Sequence, residues 1–152
     1  MVWVMKRILY IMLAASVLLF AACDKYDDGR PGRELRKEFN AMYPDARDVE
    51  WEREGAYWVV SFEIDRVDHE AWYDESGNWV RTVRDVTLAS VPAYVLSALE
   101  NSVYGGSFPD NDVDYVMTPA GNFYRFEIMF EGREVKVDVS EGGEVSLAGY
   151  DY

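Results

Sequence analysis

From residue 56 onward the chain falls into short runs in which apolar and polar residues alternate. Ala56, Trp58, Val60, Phe62 and Ile64 alternate with Tyr57, Val59, Ser61, Glu63 and Asp65. Tyr124, Phe126, Ile128 and Phe130 repeat the pattern, and Val135, Val137 and Val139 alternate with Glu134, Lys136 and Asp138. A period of two sends successive side chains to opposite faces of a strand, so each run predicts a strand with one buried face. Turn residues separate the runs: Glu54-Gly55, Asp74-Glu75-Ser76-Gly77-Asn78, Pro119-Ala120-Gly121, Glu131-Gly132 and Glu141-Gly142-Gly143. Links this short join antiparallel neighbours. Helices are predicted over 34–42 and 91–104. In the second, Val91, Val95, Leu96 and Leu99 form an apolar stripe, with Ser90 as N-cap and Pro92 in the first turn. An aromatic-Pro-Asp turn closes each helix region: Tyr43-Pro44-Asp45 and Phe108-Pro109-Asp110.

The two halves are similar to each other. A shift of 64 positions lays Asp48 on Asp112, Val49 on Val113, Trp51 on Tyr115, Ala56 on Ala120 and Phe62-Glu63-Ile64 on Phe126-Glu127-Ile128. It also lays Glu70 on Glu134, Trp72 on Lys136, Asp74 on Asp138 and Ser76 on Ser140, while Trp79 meets Val145 only if the intervening turn shifts. Order is kept and identities cluster in strand-like segments, which favours duplication over chance similarity. The predicted fold class is α+β: a tandem α-β-β-β-β repeat, residues 34–86 and 87–152, forming one antiparallel sheet with two helices on one face.

The N-terminus has a different character. Lys6 and Arg7 precede an uncharged run over residues 8–20, the length of a signal-peptide core and shorter than the roughly 20 residues of a spanning helix. Leu19-Phe20-Ala21-Ala22-Cys23 resembles the lipobox of bacterial lipoproteins, which are cut before a diacylated cysteine; Phe20 departs from the usual leucine. The resemblance implies a signal peptide over 1–22 and a lipid anchor on Cys23. An ordinary secretory signal is the alternative. Residues 23–33 read as a flexible tether. Asp24, Asp27 and Asp28 resemble the acidic tract that marks surface export in some diderm bacteria, and a plain solvated linker explains them equally. The implied location is the outer membrane, facing the periplasm or the cell surface.

Cys23 is the single cysteine, so the domain has no internal disulfide and depends on its core. The whole chain carries 28 acidic against 15 basic residues, and loss of Lys6 and Arg7 makes the remainder more acidic still. That charge argues against nucleic acid as a partner.

No catalytic constellation stands out. His69 is the only histidine, and no serine lies in a nucleophile motif. One histidine and one anchoring cysteine cannot build a transition-metal site, so neither a metal nor a cofactor is assigned. Residues 74–78 and 109–112 offer oxygen ligands for calcium, but without the spacing of a calcium loop, and turn chemistry accounts for them. The aromatic residues say more. Alternation puts Trp72 in phase with Glu70 and on the face away from the helices, with Tyr57, Val59 and Glu63; Phe123 and Met129 join them from the second half. This face reads as a surface for a protein or peptide partner. A one-residue slip would instead bury Trp72.

Tyr43-Pro44-Asp45-Ala46-Arg47-Asp48-Val49-Glu50-Trp51-Glu52, Tyr57-Trp58-Val59-Val60-Ser61-Phe62 and Glu70-Ala71-Trp72-Tyr73-Asp74-Glu75-Ser76-Gly77-Asn78-Trp79 resemble the PepSY-like family of exported bacterial proteins, also described as β-lactamase-inhibitor-like. The resemblance is close in the first half and loose in the second. It implies a non-enzymatic binding module on a tandem α/β repeat. Calcium or small-ligand binding is one alternative. Inhibition of an envelope or secreted enzyme is another, although the chain lacks the paired disulfides of the true inhibitor.

Overall fold

The computed structural model describes residues 30–107, 109 and 111–149. The signal segment, Cys23, tether residues 23–29, Phe108 and Asp110 lie outside the described residues. The elements are α1 (Arg33–Met42), β1 (Arg47–Glu54), β2 (Tyr57–Ile64), β3 (Val67–Tyr73), β4 (Trp79–Thr87), a 3₁₀ turn (Leu88–Ser90), α2 (Ala93–Glu100), β5 (Asp112–Thr118), β6 (Gly121–Phe130), β7 (Arg133–Ser140) and β8 (Val145–Leu147). All eight strands form one sheet in sequence order, every neighbour antiparallel. The α+β class and the single sheet read from the alternation are those observed.

Both helices cover the same face, and each has its own core. Leu35 and Phe39, one turn apart on α1, bury against Val60, Phe62, Ala71 and Tyr73. The Phe39 ring meets Trp51 at 5.3 Å and Phe62 at 5.0 Å, both edge to face. Val91 and, on α2, Val95 and Leu99 bury against Val113, Phe126, Ile128, Val137 and Val139. A polar seam on β4 divides the two. Thr82 is fully buried there, and the Arg84 guanidinium lies 4.9 Å from the Tyr115 ring centre. Thr82 Oγ1 lies 2.6 Å from Tyr43 Oη and accepts a bond from Trp79 Nε1 at 2.8 Å. The end of α1 is thereby pinned to the middle of the sheet.

The second helix is shorter than the apolar stripe predicts. Val91 is extended (φ −69°, ψ 133°), so α2 begins after Pro92, which is its N-cap. The ring of a proline excludes the helical region for the residue before it. Ser90 caps nothing; its hydroxyl donates to the Thr87 carbonyl at 2.7 Å. At the other end Asn101 Nδ2 and Ser102 Oγ donate to the Ser97 and Leu99 carbonyls, satisfying groups that a continuing helix would use. The chain then folds back so tightly that a side chain at Gly105 would sit 2.0 Å from the Glu100 carbonyl oxygen.

The strand pairing refines the internal correspondence. Trp51↔Val60 in the first half matches Tyr115↔Tyr124 in the second at a shift of 64. The β2–β3 turn lies between Ile64 and Val67, whereas the β6–β7 turn lies between Phe130 and Arg133, so β6 runs two residues longer. From that turn onward the shift is 66. The structural counterpart of Trp72 is therefore Asp138, not Lys136, and that of Asp74 is Ser140, not Asp138. Hydrogen bonds show the same offset: Asp74 N to Asn78 O and Gly77 N to Asp74 O recur as Ser140 N to Glu144 O and Gly143 N to Ser140 O. Trp79 and Val145 do correspond, pairing with Tyr73 and Val139.

Candidate binding face

Strand register decides which side chains leave the helix-covered face. Val59 pairs with Trp72 and Trp72 with Arg81. Ser61 pairs with Glu70, Glu70 with Val83, Val83 with Val116 and Val116 with Phe123. Glu63 pairs with Asp68, and Asp85 with Asp114, which pairs with Arg125. Tyr57, Val59, Glu63, Glu70, Trp72, Phe123 and Met129 all lie on this face, which no described helix covers; the β3–β4 register shift falls between Trp72 and Tyr73 and leaves Trp72 on it.

They do not form one cluster. Tyr57, Val59, Glu70 and Trp72 are together. The Tyr57 and Trp72 rings are 5.7 Å apart, edge to face, and Trp72 Nε1 donates to Glu70 Oε1 at 2.6 Å. The Arg81 guanidinium covers the Trp72 ring at 4.2 Å. Held on three sides, this indole is fixed before any partner arrives. Val59 is 0% exposed and cannot touch a partner; it is the floor beneath the aromatic pair. Phe123 lies three strands beyond Glu70, roughly 14 Å at the usual strand spacing. Met129 is 58% exposed but six residues further along β6, about 20 Å from Phe123.

The sequence pattern missed half of the face. Arg81, Asp68, Asp85, Asp114 and Arg125 share it, and alternation within residues 81–85 was the available signal. Arg125 makes a two-pronged bond to Asp138, at 2.8 and 3.1 Å. Lys136 meets Glu127 at 3.0 Å. On β2–β4 the carboxylates dominate. A depression of about 540 Å³ is lined by Asp48, Glu63, Asp68, Glu70 and Asp85, with no lysine or arginine among its described lining residues. A second, of about 370 Å³, is lined by Asp112, Asp114, Glu127 and Arg125. Burial raises the Asp114 carboxyl above its ordinary range, with the Asp85 charge adding to the effect.

The remaining candidate groups are committed to the fold. His69 stacks on Phe62 at 5.2 Å on the helix side, and its Nδ1 lies 2.8 Å from the Val67 carbonyl, a bond that only the Nδ1–H tautomer donates. Asp74 Oδ1 accepts the Ser76 and Asn78 backbone amides at 2.8 and 2.9 Å, and Oδ2 accepts Asn78 Nδ2 at 2.9 Å. Those bonds, the Asn78 side-chain amide first, lower its pKa. Among the described residues no group of three or more His, Cys, Asp or Glu side chains is placed to hold a metal ion. No described helix is long and apolar enough to cross a membrane.

The family model described as "Putative beta-lactamase-inhibitor-like, PepSY-like" matches residues 56–146. The chain belongs to the PepSY-like family. Among solved structures it is similar to a BLIP-like protein from Bacteroides fragilis, at 26% identity and TM-score 0.70, covering 81% of this chain and 92% of that one. A DUF2874 family protein from Bacteroides uniformis is 24% identical at TM-score 0.66, covering 76% and 86%. A Bacteroides eggerthii structure, titled "putative periplasmic proteins", is 24% identical at TM-score 0.64, covering 77% and 86%. The last two likenesses show the fold alone. No curated protein matches the chain. The PepSY-like match takes in residues 56–86 of the first half and most of the second, while the resembling segment 43–52 lies outside it.

Proposed function

We propose that this PepSY-like chain is a non-catalytic binding module of the cell envelope that engages a protein or peptide through its helix-free sheet face. The observation that carries the reading is Trp72. A large aromatic side chain is held by Glu70, Tyr57 and Arg81 on a face that no described helix covers. Rigid aromatic side chains of this kind dominate the energy of protein interfaces. The β-lactamase-inhibitor-like description of the family supports binding over chemistry. The signal-like residues 1–22 and Cys23 support a lipid-anchored envelope location. Residues 34–86 and 87–152 are read as two copies of one unit.

Site-specific photo-crosslinking tests the reading. A photoreactive residue at Glu50 or Glu52, exposed on β1 beside Tyr57 and Trp72, is expected to trap a second polypeptide in intact cells. The same residue at Tyr94, exposed on α2, is not. Equal trapping from both faces, or none from Glu50 and Glu52, refutes it.

A further inference from the structure

The geometry points to a partner segment that is basic: it carries two or more lysine or arginine side chains beside an apolar one. This rests on the helix-free face being the binding face and adds the chemistry of what sits there. Tyr57 and Trp72 offer the apolar contact, flanked along β1 by Glu50 and Glu52, which pair with Ser61 and Val59. Further along the same strands, beginning at Glu70 two residues from Trp72, the depression lined by Asp48, Glu63, Asp68, Glu70 and Asp85, with His69 beside them, presents five carboxylates and no lysine or arginine among its described lining. The Asp85↔Asp114 pair links it to the second acidic depression on β5 and β6. Like charges placed directly across neighbouring strands repel, and a native fold keeps such an arrangement at a cost. A cationic segment laid across β2–β5 relieves that repulsion. An acidic or neutral segment leaves it, and an acidic one increases it. Complementary potential of this kind sets partner choice and association rate.

The full-length chain is used to select from a random dodecapeptide library, with Tyr57→Ala/Trp72→Ala chain as the counter-selection. Peptides that survive are expected to carry at least threefold more Lys and Arg than the library. For such a peptide, Asp68→Asn/Asp85→Asn is expected to weaken binding at least tenfold and to flatten its salt dependence. Glu38→Gln/Asp45→Asn, on α1 and its following turn, removes the same charge and is expected to change binding less than twofold. Both pairs are near-isosteric and exposed or half-exposed, so they test charge without disturbing the core. Survivors that are neutral or acidic overturn the basic-segment inference and leave the binding face standing. Equal loss in the two charge-removal pairs overturns it as well, because attraction is then to the whole acidic surface. If no peptide depends on Tyr57 and Trp72, the binding-face reading fails with it.

Discussion

Thr82→Val exposes how the frame behind the face is held. Valine has threonine's shape and is less polar, so hydrophobicity alone predicts a gain in stability at a site that is 0% exposed. The hydrogen bonds predict the opposite. Thr82 Oγ1 is the partner of both Tyr43 Oη and Trp79 Nε1, at 2.6 and 2.8 Å. With valine both lose that partner inside the protein. A buried polar group deprived of its partner costs about 1–3 kcal/mol, and the half-buried Tyr43 recovers some of that from water. The net expectation is a loss of about 2–4 kcal/mol, a large share of the roughly 5–15 kcal/mol that a domain has. Thr82→Ser keeps the oxygen and loses a methyl group, so about 1 kcal/mol is expected. Urea unfolding followed by tryptophan fluorescence reads both. With a slope of about 1.5 kcal/mol/M, a 3 kcal/mol loss moves the midpoint by about 2 M. A Thr82→Val protein as stable as the parent, or more so, refutes the assignment of this hydroxyl as the pin between α1 and β4.

Phe39→Ala opens a cavity among Tyr43, Trp51 and Phe62 and is expected to cost about 3–5 kcal/mol in the same assay, whereas Trp72→Ala, on the open face, costs about 1–2 kcal/mol by uncovering Val59. Burial raises the Tyr43, Tyr73 and Tyr124 phenols, and burial with the Glu141 hydrogen bond pushes Tyr115 up to about 12. Between pH 10 and 12 the unfolded chain therefore sheds phenolic protons that the native chain keeps, and stability is fully present below pH 10 and falls as pH rises. An absorbance titration near 295 nm is expected to show four tyrosines lagging, and a single step at pH 10 contradicts this. Because the Asp74 carboxylate is engaged by its own turn, millimolar calcium is expected to shift the melting temperature by less than about 1 °C, and a shift of several degrees restores the calcium reading.

Alternation carried most of the fold. Residues 57–64, 124–130 and 133–139 are half-buried strands whose period of two admits one face assignment, and the same alternation through 70–73 places Trp72. The limits of α2 were less legible. Apolar spacing marks a stripe but not where the backbone leaves it, and the Val91-Pro92 step and the Ser97 and Leu99 carbonyl bonds decide that. The two-residue lengthening of β6 was hidden because chance identities at Glu134, Asp138 and Ser140 mimic an unbroken shift of 64. The face itself was half legible: aromatic residues stand out in a sequence, but the meeting of Asp68, Asp85 and Asp114 depends on the register of β3 on β4 and of β4 on β5, the latter closing over the intervening α2.

Affinity capture from the native envelope with the full chain and with Tyr57→Ala/Trp72→Ala, each quantified by mass spectrometry alongside its melting temperature, reads out binding through Tyr57 and Trp72. Specific partners are expected to fall at least tenfold while the double variant still melts cooperatively within several degrees of the parent. Undiminished capture by a folded double variant would contradict binding through this pair.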